Sequence, residues 1–346
     1  MSARWFILLI LLTHGALPQA GCACTIPVFR YALDRWEADK FHLLLPAAAS
    51  QDLALNDLLR PLRADGKANL DIRTSRDAAL DQPELRFSTR DESVLWTGKL
   101  DSASLAALLD SPTRTNIRDH ILAGDSIVWV MADRGTPEDE AHAQRIERRL
   151  KFLEQVAALP IQDPNDPDSQ LGPGPPLKLK FTLVRLRSDD PAEQMLVKML
   201  TGPKREIDPS TTSFAAAVFG RGRVLGAWPL DALDHTALED ACMFLVGRCS
   251  CRMKNENPGW DILMNVDWAA ALEKVIAAAA PSAASAAKMV APPEAVPTML
   301  AAAPDGNVIV KNSVVIPIRW PWLAAGAAFV LSIAAVILLW SGKAGR

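Results

Sequence analysis

Apolar positions in this chain fall into three patterns. An unbroken apolar run occupies Trp5 to Leu12, and an uncharged, mostly apolar one occupies Trp322 to Trp340. Between them, short runs rich in β-branched and aromatic residues alternate with stretches in which apolar residues recur every three or four positions. The short runs predict strands at Phe41 to Leu45, Asn69 to Arg73, Glu84 to Ser88, Ser93 to Thr97, Ile127 to Met131, Leu177 to Leu186, Phe214 to Phe219 and Val224 to Trp228. The longer repeats predict helices with legible starts. Thr136-Pro137-Glu138-Asp139 supplies a capping hydroxyl, a proline at the first helical position and carboxylates near the positive helix end, followed by Ile146, Leu150, Leu153 and Val156 on one face. Ser111-Pro112 opens a second helix, stopped by Gly124 in the left-handed conformation. Asp190-Pro191 opens a third, and Thr236 with Glu239 forms a capping box for a fourth that ends at Gly247.

Read in order, residues 126 to 246 give strand, helix, strand, helix, strand, strand, helix, and residues 41 to 123 give the same order lacking one helix. That order resembles the thioredoxin fold, so the expected fold class is α/β, with two thioredoxin-like units in tandem over 25–124 and 125–275. The resemblance implies a Cys-x-x-Cys where a first strand meets a first helix, because the helix amino terminus lowers a thiol pKa there. The two junctions read Leu45-Pro46-Ala47-Ala48-Ala49-Ser50 and Ala132-Asp133-Arg134-Gly135-Thr136, without cysteine. The family's cis-proline finds a match at Pro83 in the first unit only.

The two ends set the address. Met1 to Arg4 is a short basic start, and the run after it is too short to cross a bilayer, so residues 1–21 read as a secretory signal peptide. Gln19-Ala20-Gly21-Cys22 resembles the lipobox of bacterial lipoproteins, which implies lipidation of Cys22; Gln19 departs from the branched apolar residue of that motif, and cleavage after Ala23 is the alternative. Residues 322–340 carry no charge and are bracketed by Arg319, Trp320, Trp322, Trp340 and Lys343, which predicts a transmembrane helix with interfacial indoles and a cytoplasmic tail at 341–346. The Ala- and Pro-rich residues 276–318 read as a linker and juxtamembrane segment, with Val308 to Ile318 either a short strand or packing at the membrane. The expected location is a cell membrane crossed once, with the body on the extracytoplasmic, periplasmic side.

A net charge of -3 and the lack of any Lys/Arg block argue against nucleic acid as a partner. The scattered His42, His120, His142 and His235 match no metal or protease motif, the acidic run from Asp163 to Asp168 lacks the Gly and Glu of a calcium loop and reads as a solvated linker continuing into the Pro/Gly run from Gly172 to Pro176, and no cofactor is expected. Five cysteines are encoded: Cys22, Cys24, Cys242, Cys249 and Cys251. Cys242 falls on the apolar face of its helix and reads as a buried, inert thiol. Cys249-Ser250-Cys251 reads in two ways: a cross-link from Cys24 to Cys249 or Cys251 that pins the amino terminus, or a strained, labile pair with redox activity. Arg221, Arg223, Arg252 and Lys254 cluster around it, and Gly220-Arg221-Gly222-Arg223 reads as a hairpin turn with both arginines exposed, giving a candidate interaction surface. These runs, with Phe29-Arg30-Tyr31-Ala32-Leu33, are similar to those of uncharacterised exported bacterial membrane proteins. The expected function is a non-catalytic binding or scaffolding module facing another envelope protein; the alternative is a thiol-disulfide protein working through Cys249 and Cys251.

Overall fold

The computed structural model describes residues 25–87, 93–162, 165–249 and 253–289. The signal segment, the apolar segment 322–340, Cys22, Cys24, Cys251 and Arg252 lie outside these residues. Among the described residues no helix is long and apolar enough to cross a membrane.

The architecture is mixed α/β with two sheets. The first combines β1 (Phe41–Leu45), β2 (Leu70–Thr74), β3 (Glu84–Arg86) and β4 (Val94–Thr97) in the order β2-β1-β3-β4. The second combines β5 (Ile127–Asp133), β6 (Phe181–Arg187), β7 (Phe214–Phe219), β8 (Arg223–Pro229) and β9 (Trp260–Asp261) in the order β6-β5-β7-β8-β9. In each sheet the first two strands in the chain pair in parallel, and the next two add antiparallel on the far side of the first. A parallel pair demands a long crossover, which α2 (Leu53–Asp65) and α5 (Pro137–Val156) provide. Both sheets therefore repeat one topology.

Helix α1 (Val28–Arg35) precedes the first sheet in the chain yet packs on the second, where Phe29, Tyr31 and Ala32 join Trp129, Met131 and Phe219. Helix α3 (Ser102–Leu109) starts at a capping box between Asp101 and Ser104. Helix α4 (Pro112–Leu122) begins at Ser111 as its sequence says, and Gly124 follows its end at φ 90°. The remaining helices are α6 (Gln194–Leu200), α7 (His235–Val246) and α8 (Trp268–Met289). One continuous apolar core carries Leu43 and Leu85 of the first sheet together with Val130 and Phe214 of the second and Ile117 of α4. The described residues belong to one compact unit.

Three other expectations change. Helix α6 starts later than Asp190-Pro191 because Glu193 is diverted: its carboxylate accepts from Ser111 Oγ at 2.7 Å and from the Thr113 amide at 2.7 Å, closing the start of α4. Asp234, not Thr236, caps α7, accepting from the Ala237 amide at 2.8 Å. The Ala-rich segment is helical as far as Met289, through Pro281, since alanine's propensity sustains a helix that a proline count alone would end.

The outer edge of the second sheet is irregular. Ala216 pairs with Ala227 and Val218 with Val224, so Leu225 and Gly226 both stand opposite Ala217, a β-bulge in β8. Strand β9 pairs only with Arg223 and Val224. Beyond that point β8 has no outer neighbour among the described residues.

Candidate functional site

The strand-to-helix junction between β5 and α5 is closed. After β5, the buried Asp133 accepts from the Gly135 amide at 2.9 Å and pairs with Arg185 at 2.9 Å; Arg185 also holds Glu140 at 2.5 Å. Asp139 and Thr136 cap α5 reciprocally. Ion pairs thus occupy the place a redox pair would take. No cis peptide bond occurs among the described residues, so Pro83 does not reproduce a cis-proline.

The basic residues of the 220–254 region come together, but not as an open surface. Arg221 is half-buried and closes the end of α1, donating to the carbonyl of Leu33 at 2.8 Å. Arg223 is 5% exposed. It pairs with Asp261 at 3.2 Å, donates to the Asn257 and Gly259 carbonyls, and its guanidinium stands 5.7 Å from the Trp36 ring. Lys254 bridges Asp261 and Asp39 and donates to the Glu37 carbonyl. The hairpin is present as expected; the exposure of its arginines is corrected. Carbonyls from residues 33–37 and 257–259 draw these cations inward, and no local sequence pattern announces such long-range acceptors. Burial pushes the Asp261 carboxyl above its ordinary value against the opposing pull of Lys254, and burial lowers the Arg221 guanidinium.

The cysteines separate. Burial pushes the Cys242 thiol up to about 12, and the side chain has no measurable exposure, as expected of an inert core position. Cys249 is buried too, and its amide donates to the Ile26 carbonyl at 3.0 Å, while the Val28 amide donates to Gly247 at 3.1 Å. The chain near the amino terminus therefore runs antiparallel to residues 247–249, with Pro27 opposite Arg248. The Pro/Gly run, expected to be a solvated linker, is instead a strap. Buried Arg30, paired with Asp34 at 2.9 Å, donates to the Gly172 and Pro175 carbonyls, and Asp34 accepts from the Gly172 amide at 2.8 Å.

Two histidines have defined partners. His120 shares buried Asp125 with Thr182 and Lys178. Burial alone would raise Asp125, but the hydrogen bonds from Thr182, Lys178 and His120 outweigh it and lower the carboxyl. Glu138, His142 and Asp231 converge within 4.8 Å, the one metal-like grouping among the described residues. Arg145 donates to His142 Nδ1 at 3.0 Å, which leaves the proton on Nε2, facing Asp231 at 3.2 Å. A ring so committed offers a cation no lone pair.

What remains is a cleft of about 440 Å³ at the bulged edge of β8, facing the loop of residues 201–207. Trp228 and Trp260 form its walls. A Cβ on Gly226 would stand 2.9 Å from the Trp228 ring, and one on Gly202 would stand 2.8 Å from the Trp260 ring. Both glycines are therefore required for the indoles to lie where they do. The Trp260 indole nitrogen is spent on the Met199 carbonyl at 2.8 Å, and Trp228 leans on buried Trp129 with 5.7 Å between ring centres. Arg205 sits at φ 50°, in the left-handed region unfavourable to side chains, while it donates to the Val94 carbonyl of the first sheet. Its volume falls in the range of ligand sites, roughly 300–1,000 Å³.

No protein-family model, curated protein or solved structure matches this chain. Function must be argued from the cleft. Its residues escaped the sequence reading because Trp228 closes a strand and Trp260 follows a turn, with nothing in either segment to show that they line one cleft.

Proposed function

We propose that this chain is a membrane-anchored, extracytoplasmic binding or scaffolding protein of the bacterial envelope, non-catalytic, with two thioredoxin-like units as its body. The single observation that carries the reading is the Trp228/Trp260 cleft, a pre-shaped recess lined mainly by apolar groups, with Lys204 and Glu206 at its rim. The anchoring rests on the uncharged, Trp-bracketed segment 322–340, and the export on the apolar run near the amino terminus. The shared strand order of the two sheets supports the thioredoxin-like reading. The closed junction between β5 and α5, with Asp133 paired to Arg185 and the capping box of α5, supports a body that lacks the redox chemistry of that fold.

The test is photo-cross-linking in intact cells, with the reactive group placed at the exposed Glu206 on the cleft rim and, as a control, at the exposed Glu147 on α5. A discrete adduct in the membrane fraction is expected from the rim position alone. Identical adducts from both positions, or none, would remove the binding role.

The thiols give a second expectation. The Pro27–Arg248 pairing sets the start of the described chain beside Cys249, which favours a cross-link from Cys24 to Cys249 or Cys251 over a redox pair of Cys249 and Cys251. Peptide mapping of unreduced protein should recover Cys24 joined to Cys249 or Cys251, with Cys242 alkylated only after unfolding. Reversible cycling of Cys249 and Cys251, coupled to reduction of a model disulfide, would instead establish the redox alternative.

A further inference from the structure

The backbone of β8 narrows what the cleft takes. The Leu230 amide donates to the Ser213 carbonyl at 3.0 Å, and Trp228 pairs with Ala215. In an antiparallel ladder, alternate residues exchange both hydrogen bonds with the neighbouring strand and the residues between them face away. Leu230 and Trp228 are turned toward β7, so Ala227 and Pro229 are turned outward. Before the bulge the parity is reversed: the Gly222 carbonyl accepts from the Ile262 amide at 2.9 Å, on the β9 side. The extra residue at Leu225–Gly226 thus moves the outward set onto Ala227, which lines the cleft. Pro229 offers an acceptor but no donor, so the edge available beyond β9 is one complete residue long.

We propose that this edge binds an extended, uncharged peptide segment of a partner protein, which forms one antiparallel residue pair with Ala227 and lays an apolar side chain against Trp260, on the sheet face that Ala227 shares with it. The inference rests on the binding role proposed above and names its ligand class. An outward N–H and C=O on the same residue are the complement of another backbone, which a small apolar molecule cannot satisfy. With the Trp260 indole nitrogen already bonded, the Trp260 wall offers its ring face to an apolar side chain. At the rim, Lys204 and Glu206 are both exposed and opposite in charge, so the local field favours neither an acidic nor a basic segment. Pro229 on one side and the β9 pairing on the other limit the contact to a short stretch, so the segment docks without extending the sheet into an aggregate.

The experiment uses the full-length chain in lipid nanodiscs and a library of uncharged seven-residue peptides that vary at the central, apolar position. Tryptophan fluorescence reports binding, and amide exchange reports protection at Ala227. The expected result is a preferred central residue, protection of the Ala227 amide, and about tenfold weaker binding when the central residue of the best peptide is N-methylated, the loss of one backbone hydrogen bond. Ala227→Pro should weaken binding to a similar degree, since it removes an outward donor and no ladder bond; the methylated peptide gives the same information without any variant. The proposal is overturned if no peptide in the library binds, or if methylation leaves binding unchanged and Ala227 exchanges freely. Should the rim cross-link capture a partner in cells while the peptides fail, the binding role stands and the peptide class falls.

Discussion

Replacing Arg114 with alanine is expected to destabilise the protein by about 3–5 kcal/mol, the cost of breaking a buried ionic network from one side. Arg114 is 1% exposed, and burial pulls its guanidinium down to about 10 against the support of Asp110 and Glu193. Its donors reach the Leu108 carbonyl at 2.7 Å, the Ala107 carbonyl at 2.7 Å, the Leu263 carbonyl at 3.3 Å and Ser111 Oγ at 3.3 Å. One side chain thus ties the end of α3, the start of α4 and the segment after β9. Removing it orphans buried carbonyls and leaves the carboxylate of Glu193, itself 3% exposed, without its nearby positive charge. Arg114→Lys should recover only part of the loss, because a single ammonium cannot span acceptors on separate segments. Denaturant unfolding of the detergent-solubilised chain measures both; a loss below about 1 kcal/mol for the alanine variant would mean that the network is incidental.

Gly259→Ala should cost about 2–4 kcal/mol and abolish binding at the cleft, since strain and a backbone clash act together. Gly259 adopts φ 108°, and a Cβ there would stand 2.1 Å from the Val224 carbonyl oxygen. Neither atom is the free end of a flexible side chain. The relief would come by moving β9, and with β9 goes Trp260, one wall of the cleft. Gly66→Ala is the control: Gly66 has φ 51° but nothing within 4 Å of a new Cβ, so only the conformational cost of about 1 kcal/mol should appear. Similar melting temperatures for the two variants would show that the close approach of Gly259 to β8 is not required.

The elements that read correctly from sequence are those whose cause is local. Strands Phe41–Leu45 and Phe214–Phe219 are continuous apolar runs between breakers, and both appear with the expected bounds. Thr136, Ser111 and Gly124 act within one helical turn of themselves, and each sits where its chemistry places it. Readings that depend on distant acceptors went astray. Arg223 in a Gly-Arg-Gly-Arg turn looks exposed until Asp261 and the 257–259 carbonyls arrive from more than thirty residues away. Arg30 and Asp34 likewise turn a Pro/Gly linker into a strap from 138 and more positions distant. Helix α1 escaped notice because it has no capping side chain, and its burial against the second sheet decides its conformation.

Taken alone, the sequence determined the α/β class, the order of strands and helices, and the absence of thiols from both strand-to-helix junctions, because hydrophobic period and capping chemistry act over a few residues. It also supplied the expectation of an exported, anchored chain, since transfer of an apolar run into lipid depends on composition and length. Only the tertiary structure decided that the two sheets share one core, that the cations of the hairpin are internal, and that a bulge in β8 turns the Ala227 backbone outward at the cleft. Those outcomes follow from packing and from hydrogen bonds between segments far apart in the chain, where each partner is ordinary until the other is beside it.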